Sequence, residues 1–334
     1  MGKQISRPNF ESINYTIRPG KSVERKMLCE AFARLSILDN IKDYIYIGFG
    51  STYFTDFNLF HKTLGISKLI SIEKETDFED RINFNKPYSC IDVKFGASSE
   101  VLPRLPWKDW TQKSIIWLDY TQPLMNYMLG DIRTVISEAK PGSLVLISVN
   151  INQDKRDSNE NKEGDNGLTN KQLRIKYLED RVGKEHIPQY AYGLNLNVEN
   201  NKKVIREIIN NMIDSSLLLR NVDCDEEEKL SYLQLFNIHY KDGAEMLTVG
   251  GIIHNSTQMQ KINEMNFSNL EFISFDDKCF NIVVPNLTLR EVHALDMFLP
   301  SVDKKSIELP LFEEDIKNYS KIYRYFPNFT EANL

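Results

Sequence analysis

Gly48-Phe49-Gly50-Ser51, Glu73 and the pair Asp119-Tyr120 are residues whose types and spacing could handle a ligand. Two glycines separated by one residue leave the main chain bare, so a ligand can approach closely and take hydrogen bonds from backbone N–H groups. Glu73 lies 23 residues beyond Gly50, and a carboxylate at that remove can accept hydrogen bonds from two neighbouring hydroxyls, as in dinucleotide sites. Asp119 and Tyr120 add a second carboxylate and a phenol. Arg18-Pro19-Gly20-Lys21, with Arg25 one turn further on, could clamp a phosphate or carboxylate. Each of these has a plainer reading. Glu73 could be a solvated strand end, Asp119 a helix cap, Tyr120 a packing aromatic, and Arg18, Lys21, Arg25 and Lys26 the wet start of a helix. The five histidines are scattered, and His239 reads as a packing or hydrogen-bonded residue.

The elements around these residues follow from hydrophobic period. Tyr44 to Ile47 is an apolar, β-branched run that enters the Gly-x-Gly turn, and Phe54, Phe57, Phe60 and Leu64 then recur at helical spacing. Before it, Ser22 can cap a helix over Val23 to Leu38 with Leu28, Ala31, Phe32 and Leu35 as its stripe. Lys68 to Glu73, Cys90 to Phe95, Ser114 to Asp119 and Ser143 to Val149 read as further strands, with helices at Ser98 to Leu105 and Leu124 to Ala139 between them. Strands alternating with helices predict a doubly wound parallel sheet, and the unalternating fifth strand predicts cover on both faces. Tyr232 to Tyr240 and Glu245 to Ile253, joined by Asp242-Gly243, carry a hairpin signal. Helical period appears at Lys171 to Val182 and Lys203 to Leu219; the tail holds a strand near Phe280 to Val284, a helix opened by Thr288 and Glu291, and a last helix over Phe312 to Tyr325.

With 334 residues, 41% hydrophobic and 26% charged, the chain has globular composition. A net charge of −6 disfavours a broad nucleic-acid surface. The four dispersed cysteines suggest reduced, mostly buried thiols rather than disulfides or a zinc knuckle. No apolar run nears the roughly 20 residues of a membrane span, and the start lacks an apolar leader, so a cytoplasmic protein is expected. Met1 to Ser6 fits the bare myristoylation pattern, which recurs by chance.

Five strand–helix units closed by an antiparallel hairpin resemble the class I S-adenosylmethionine-dependent methyltransferases, over about Tyr44 to His254. The resemblance implies a Rossmann-like sheet of seven strands with the sixth and seventh as the hairpin. It implies S-adenosylmethionine as cofactor, held by Gly48, Gly50 and Ser51 at the methionine moiety, Glu73 at the ribose, and Gly96, Ala97 and Ser98 at the adenine. Asp119 and Tyr120 would face the methyl group. The chain departs from the family pattern at Tyr46, where an acid is usual, and at Thr52, where a third glycine is usual. The segment Asp119 to Pro123 does not match the signature of amino-group methylation on bases. Asp119 with Val149-Asn150 is a poor set for magnesium, so no catalytic metal is expected.

The expected function is methyl transfer to an oxygen of a small or nucleotide-like acceptor, with Arg18, Lys21 and Arg25 binding that acceptor. The alternative is a Rossmann-like scaffold that has lost catalysis and holds a protein partner through its insertion or C-terminal extension. A nicotinamide oxidoreductase fits less well, because the third glycine of its fingerprint is missing. The expected layout is a leading segment 1–43, a methyltransferase-like unit 44–254 with an insertion at 152–205, and an α+β extension 255–334. The polar run Asn152 to Asn170 is expected to act as a lid.

Overall fold

The computed structural model describes residues 17–152, 168–300 and 309–327. The myristoylation pattern and most of the expected lid, residues 153–167, lie outside them. The described elements run α1 (Pro19–Ala33), β1 (Ile45–Gly48), α2 (Thr55–Leu64), β2 (Lys68–Glu73), α3 (Glu79–Asn85), β3 (Ile91–Phe95), α4 (Ser98–Val101), β4 (Ser114–Pro123), α5 (Asn126–Glu138) and β5 (Leu144–Asn150). There follow α6 (Asn170–Val182), α7 (Val198–Arg220), β6 (Leu230–Asp242), β7 (Ala244–Asn255), α8 (Met259–Glu264), β8 (Phe280–Ile282), α9 (Leu289–Asp296) and α10 (Glu313–Ile322).

The strands form one sheet in the order β3-β2-β1-β4-β5-β7-β6-β8. β1 to β5 are mutually parallel, and β7 runs antiparallel to both β5 and β6. The expected hairpin is therefore built into the sheet, with Gly243 at its tip in the left-handed region (φ 85). The sheet has eight strands rather than the expected seven. β8, in the tail, adds to the edge by pairing parallel with β6 at Ile238 to Tyr240.

Side chains alternate between two cores, because successive strand residues point to opposite faces. Ile45 and Ile47 of β1 join Ile116, Leu118, Val145 and Ile147 under α5 and α7. Tyr46 joins Trp117, Leu144 and Leu146 on the face covered by α1 and α2, where Phe32 and Phe60 stack edge to face at 5.2 Å.

α1 begins at Pro19, four residues before the expected start, and Ser22 is not its cap. Proline suits a first turn because its missing N–H would have no helical partner there. The open N–H groups of Gly20 and Lys21 donate instead to the Asp242 carboxylate at 2.9 and 2.8 Å, so the hairpin tip caps the helix from outside. The box at Thr288 and Glu291 forms as expected. Of the cysteines only Cys29 is buried, and none is in a disulfide.

Candidate functional site

The carboxyl ends of β1, β2, β3 and β4 open onto a cavity of about 380 Å³. β1 delivers Gly48 to its edge, and Phe49 to Phe54 turn the chain into α2. Glycine is required here by crowding. A Cβ on Gly50 would lie 2.5 Å from the Phe54 ring and 2.7 Å from Ser71 Oγ, and one on Gly48 would lie 2.7 Å from the Tyr46 hydroxyl. The left-handed positions are Ser51 (φ 54) and Phe54 (φ 46), neither a glycine. The N–H of Gly50 donates to Ser71 Oγ at 2.9 Å and that of Ser51 to Glu73 Oε1 at 2.8 Å. Donors expected to meet a ligand are thus turned onto β2, which corrects the sequence reading of this loop.

Glu73 ends β2 and is 6% exposed. Its Oε1 also accepts from Ser71 Oγ at 2.6 Å. Burial raises its pKa to about 7 against the pull of these hydrogen bonds. Beyond β3, Gly96 takes a φ of 138 and donates its N–H to the Glu73 carbonyl at 2.9 Å, which tethers the Gly96-Ala97-Ser98 turn to the end of β2.

β4 runs on past Asp119 to Pro123, with its pairing to β5 irregular between those two residues. Asp119, expected as the last residue of the strand, is thus followed by four more, and Tyr120 sits in the strand rather than after it. The Tyr120 hydroxyl and Ser98 Oγ both donate to Asp131 Oδ2, each at 2.6 Å. Burial and the neighbouring Asp131 carboxyl hold the Tyr120 phenol well above its ordinary pKa, so it is a fixed neutral hydroxyl rather than a base. Asp131 was not singled out from sequence. Its one signal is an acid set among Met128, Leu129, Ile132 and Val135 on the buried face of α5.

Asp56 was also missed. It stands in the first turn of α2, 7% exposed, and its Oδ2 accepts from the Tyr46 hydroxyl. Tyr46, which replaces the usual acid, thus orients a carboxylate supplied by the next helix, and Asp56 lines the cavity. Burial raises the Asp56 pKa, and Arg25 lowers it.

Arg18, just before α1, and Arg25, within it, reach the cavity wall with Gly50, Ser51, Glu73, Gly96, Ala97, Ser98, Asp119 and Tyr120. Gly48 and Lys21 stand behind it. Lys21 is 1% exposed, with Nζ 2.7 Å from Asp119 Oδ1 and 2.8 Å from Glu24 Oε2. It serves protein carboxylates and is not placed to bind an acceptor, as the sequence reading had it. Phe49, Tyr120, Tyr127 and Tyr240 supply aromatic walls. The carboxylates on the wall, Asp56, Glu73, Glu75 and Asp119, suit a ligand bearing positive charge and hydroxyl donors; the two guanidinium groups suit a carboxylate. Among the described residues, no group of three His, Cys, Asp or Glu could hold a metal ion.

Residues 13–334 match the model of a family described as "Putative O-methyltransferase". No curated protein matches the chain. Among solved structures, LepI in complex with SAH and a substrate analogue aligns with 63% of this chain at 9% identity and a TM-score of 0.33; the aligned part is 43% of LepI, less than half its length. Cofactor-bound Rv0187 from MTB aligns over 68% of this chain and 80% of its own, at 9% identity and a TM-score of 0.35. The O-methyltransferase TomG from Streptomyces achromogenes, in complex with SAM, aligns over 66% and 78%, at 12% identity and a TM-score of 0.33. Likeness this distant carries nothing about substrate.

Proposed function

The chain belongs to this O-methyltransferase family, and we propose that its cavity binds S-adenosylmethionine and presents the methyl group to an oxygen of a small acceptor. The observation that carries the reading is Glu73: a buried carboxylate at the end of β2, with Oε1 fixed by Ser51 and Ser71, facing a cavity that also holds Asp56, Asp119 and Arg25. In this reading Glu73 accepts from the ribose hydroxyls, and Gly96 to Ser98 flank the adenine. Arg25 and Asp56 take the carboxylate and ammonium of the methionine part. When bound, S-adenosylmethionine supplies a methyl group on a sulfonium. The rings of Phe49 and Tyr120, packed edge to face with centroids 5.2 Å apart on the cavity wall, favour a cation beside an open ring face. Asp119, whose Oδ1 is held by Lys21, accepts the proton of an acceptor hydroxyl, and placement of that hydroxyl contributes most to the rate. Arg18, at the outer wall, suits an anionic or nucleotide-like acceptor.

Glu73→Ala tests the assignment. It should weaken S-adenosylhomocysteine binding by about 1–3 kcal/mol, the cost of leaving polar partners unpaired. An unchanged dissociation constant would show that the ribose carboxylate is misassigned.

A further inference from the structure

Lys21 sits in a closed box. Its ammonium meets Glu24 and Asp119, and the Trp117 ring lies 4.1 Å from Nζ, so its three hydrogens face two carboxylates and one aromatic face. Glu24 is fully buried. A run of hydroxyls reaches it from the far end. The Trp117 indole can only donate, and it donates to Ser148 Oγ at 2.8 Å. Ser148 lies 2.7 Å from Thr248 Oγ1, and Thr248 donates to Glu24 Oε1. Lys21 Nζ lies 2.8 Å from Oε2; burial raises the Glu24 pKa, and the Lys21 ammonium and the Thr248 hydroxyl pull it back down. Asp119 is the one member of the group that reaches the cavity.

We propose that Lys21, Glu24 and Asp119 set the charge beside the methyl-bearing sulfur. One ammonium between two carboxylates leaves a single net negative charge there, which favours the sulfonium ligand over its neutral thioether product. The inference rests on the cavity holding S-adenosylmethionine as described above. The strand order supports the placement: with the nucleoside at the ends of β3 and β2, a further one or two strand spacings of about 4.8 Å lead to β1 and β4, where Asp119 stands.

The test is calorimetric titration at pH 8 with S-adenosylmethionine and S-adenosylhomocysteine, read as the ratio of the two dissociation constants. Glu24→Gln keeps the side-chain shape and one acceptor oxygen and removes one charge at a residue that does not line the cavity. It should lower the preference for the sulfonium ligand about ten- to a hundredfold, the size of a unit charge acting over roughly 6–12 Å at an effective dielectric of about 20. Lys21→Met/Glu24→Gln leaves Asp119 alone, restores the net charge of −1, and should return the ratio to that of the wild type. Thr248→Val, which removes a hydrogen bond without altering charge, should leave the ratio within about twofold. If Glu24→Gln fails to fold, Asp119→Asn makes the same charge change from the cavity side. A ratio unmoved in the charge-removing variant, or not restored in the double variant, overturns the triad alone. Wild-type protein that binds neither ligand overturns the reading of the cavity and the triad with it.

Discussion

A carboxyl group whose pKa is raised to about 7, as at Glu73, gives the site a pH signature. Only the ionised form accepts from both ribose hydroxyls, so S-adenosylhomocysteine affinity should rise about tenfold between pH 6 and pH 8 and flatten in Glu73→Gln. Stability runs the other way. Because the folded state keeps a proton that the unfolded chain releases near its ordinary pKa, the contribution of Glu73 is fully present below that value. It is lost as pH rises toward 7, and thermal unfolding of wild type against Glu73→Gln without ligand should show this. Glu73 and Ser98 fall where the sequence puts them, at a strand end and a helix start, whereas Asp119 and Tyr120 line the same cavity from within β4. Asp56 and Asp131 were not legible in the sequence, since their meaning depends on Tyr46, Ser98 and Tyr120 reaching them across the fold. Lys21 was misread for the same reason. Its basic neighbours suggested an anion clamp, and only tertiary structure shows Glu24 and Asp119 closing around it.

Among the elements, strands and helices of strong period were placed to within a few residues, while the ends that serve the site moved. β4 continues through Asp119 because its pairing with β5 resumes at Pro123, a bulged register that hydrophobic period does not encode. α1 starts early because its cap comes from a hairpin 222 residues away. That predicts a coupling: Asp242→Ala strips the acceptor from two N–H groups at the start of the helix and should destabilise the protein by about 1–2 kcal/mol, the usual cost of losing a cap. Calorimetric unfolding would measure it. An unchanged midpoint would mean that the first turn of α1 finds other partners. The glycine loop carries a further lesson. Its Gly-x-Gly pattern marked the right turn, but the glycines answer to the crowding of Phe54, Ser71 and Tyr46, and the left-handed backbone falls on Ser51 and Phe54.

At the scale of the molecule, the order of five strand–helix units and a hairpin was readable from period and from Asp242-Gly243. The strand near Phe280 was readable too, but not its place in the sheet, because β8 is three residues long and acquires its partner only once β6 is in place. β8 and α1, drawn from sequence into flanking segments, are packed onto the sheet and the site respectively, with α1 supplying Arg25 and the buried Lys21 and Arg18 preceding it. No helix among the described residues is long and apolar enough to cross a membrane. The central claim, that this cavity is built for an adenosyl sulfonium ligand, meets its most direct test in calorimetric titration of the whole chain with S-adenosylmethionine, S-adenosylhomocysteine and NAD. Saturable binding of both adenosyl ligands at one site per chain, and none of NAD, is the expected result. Silence for both adenosyl ligands, or saturable binding of NAD, would contradict it.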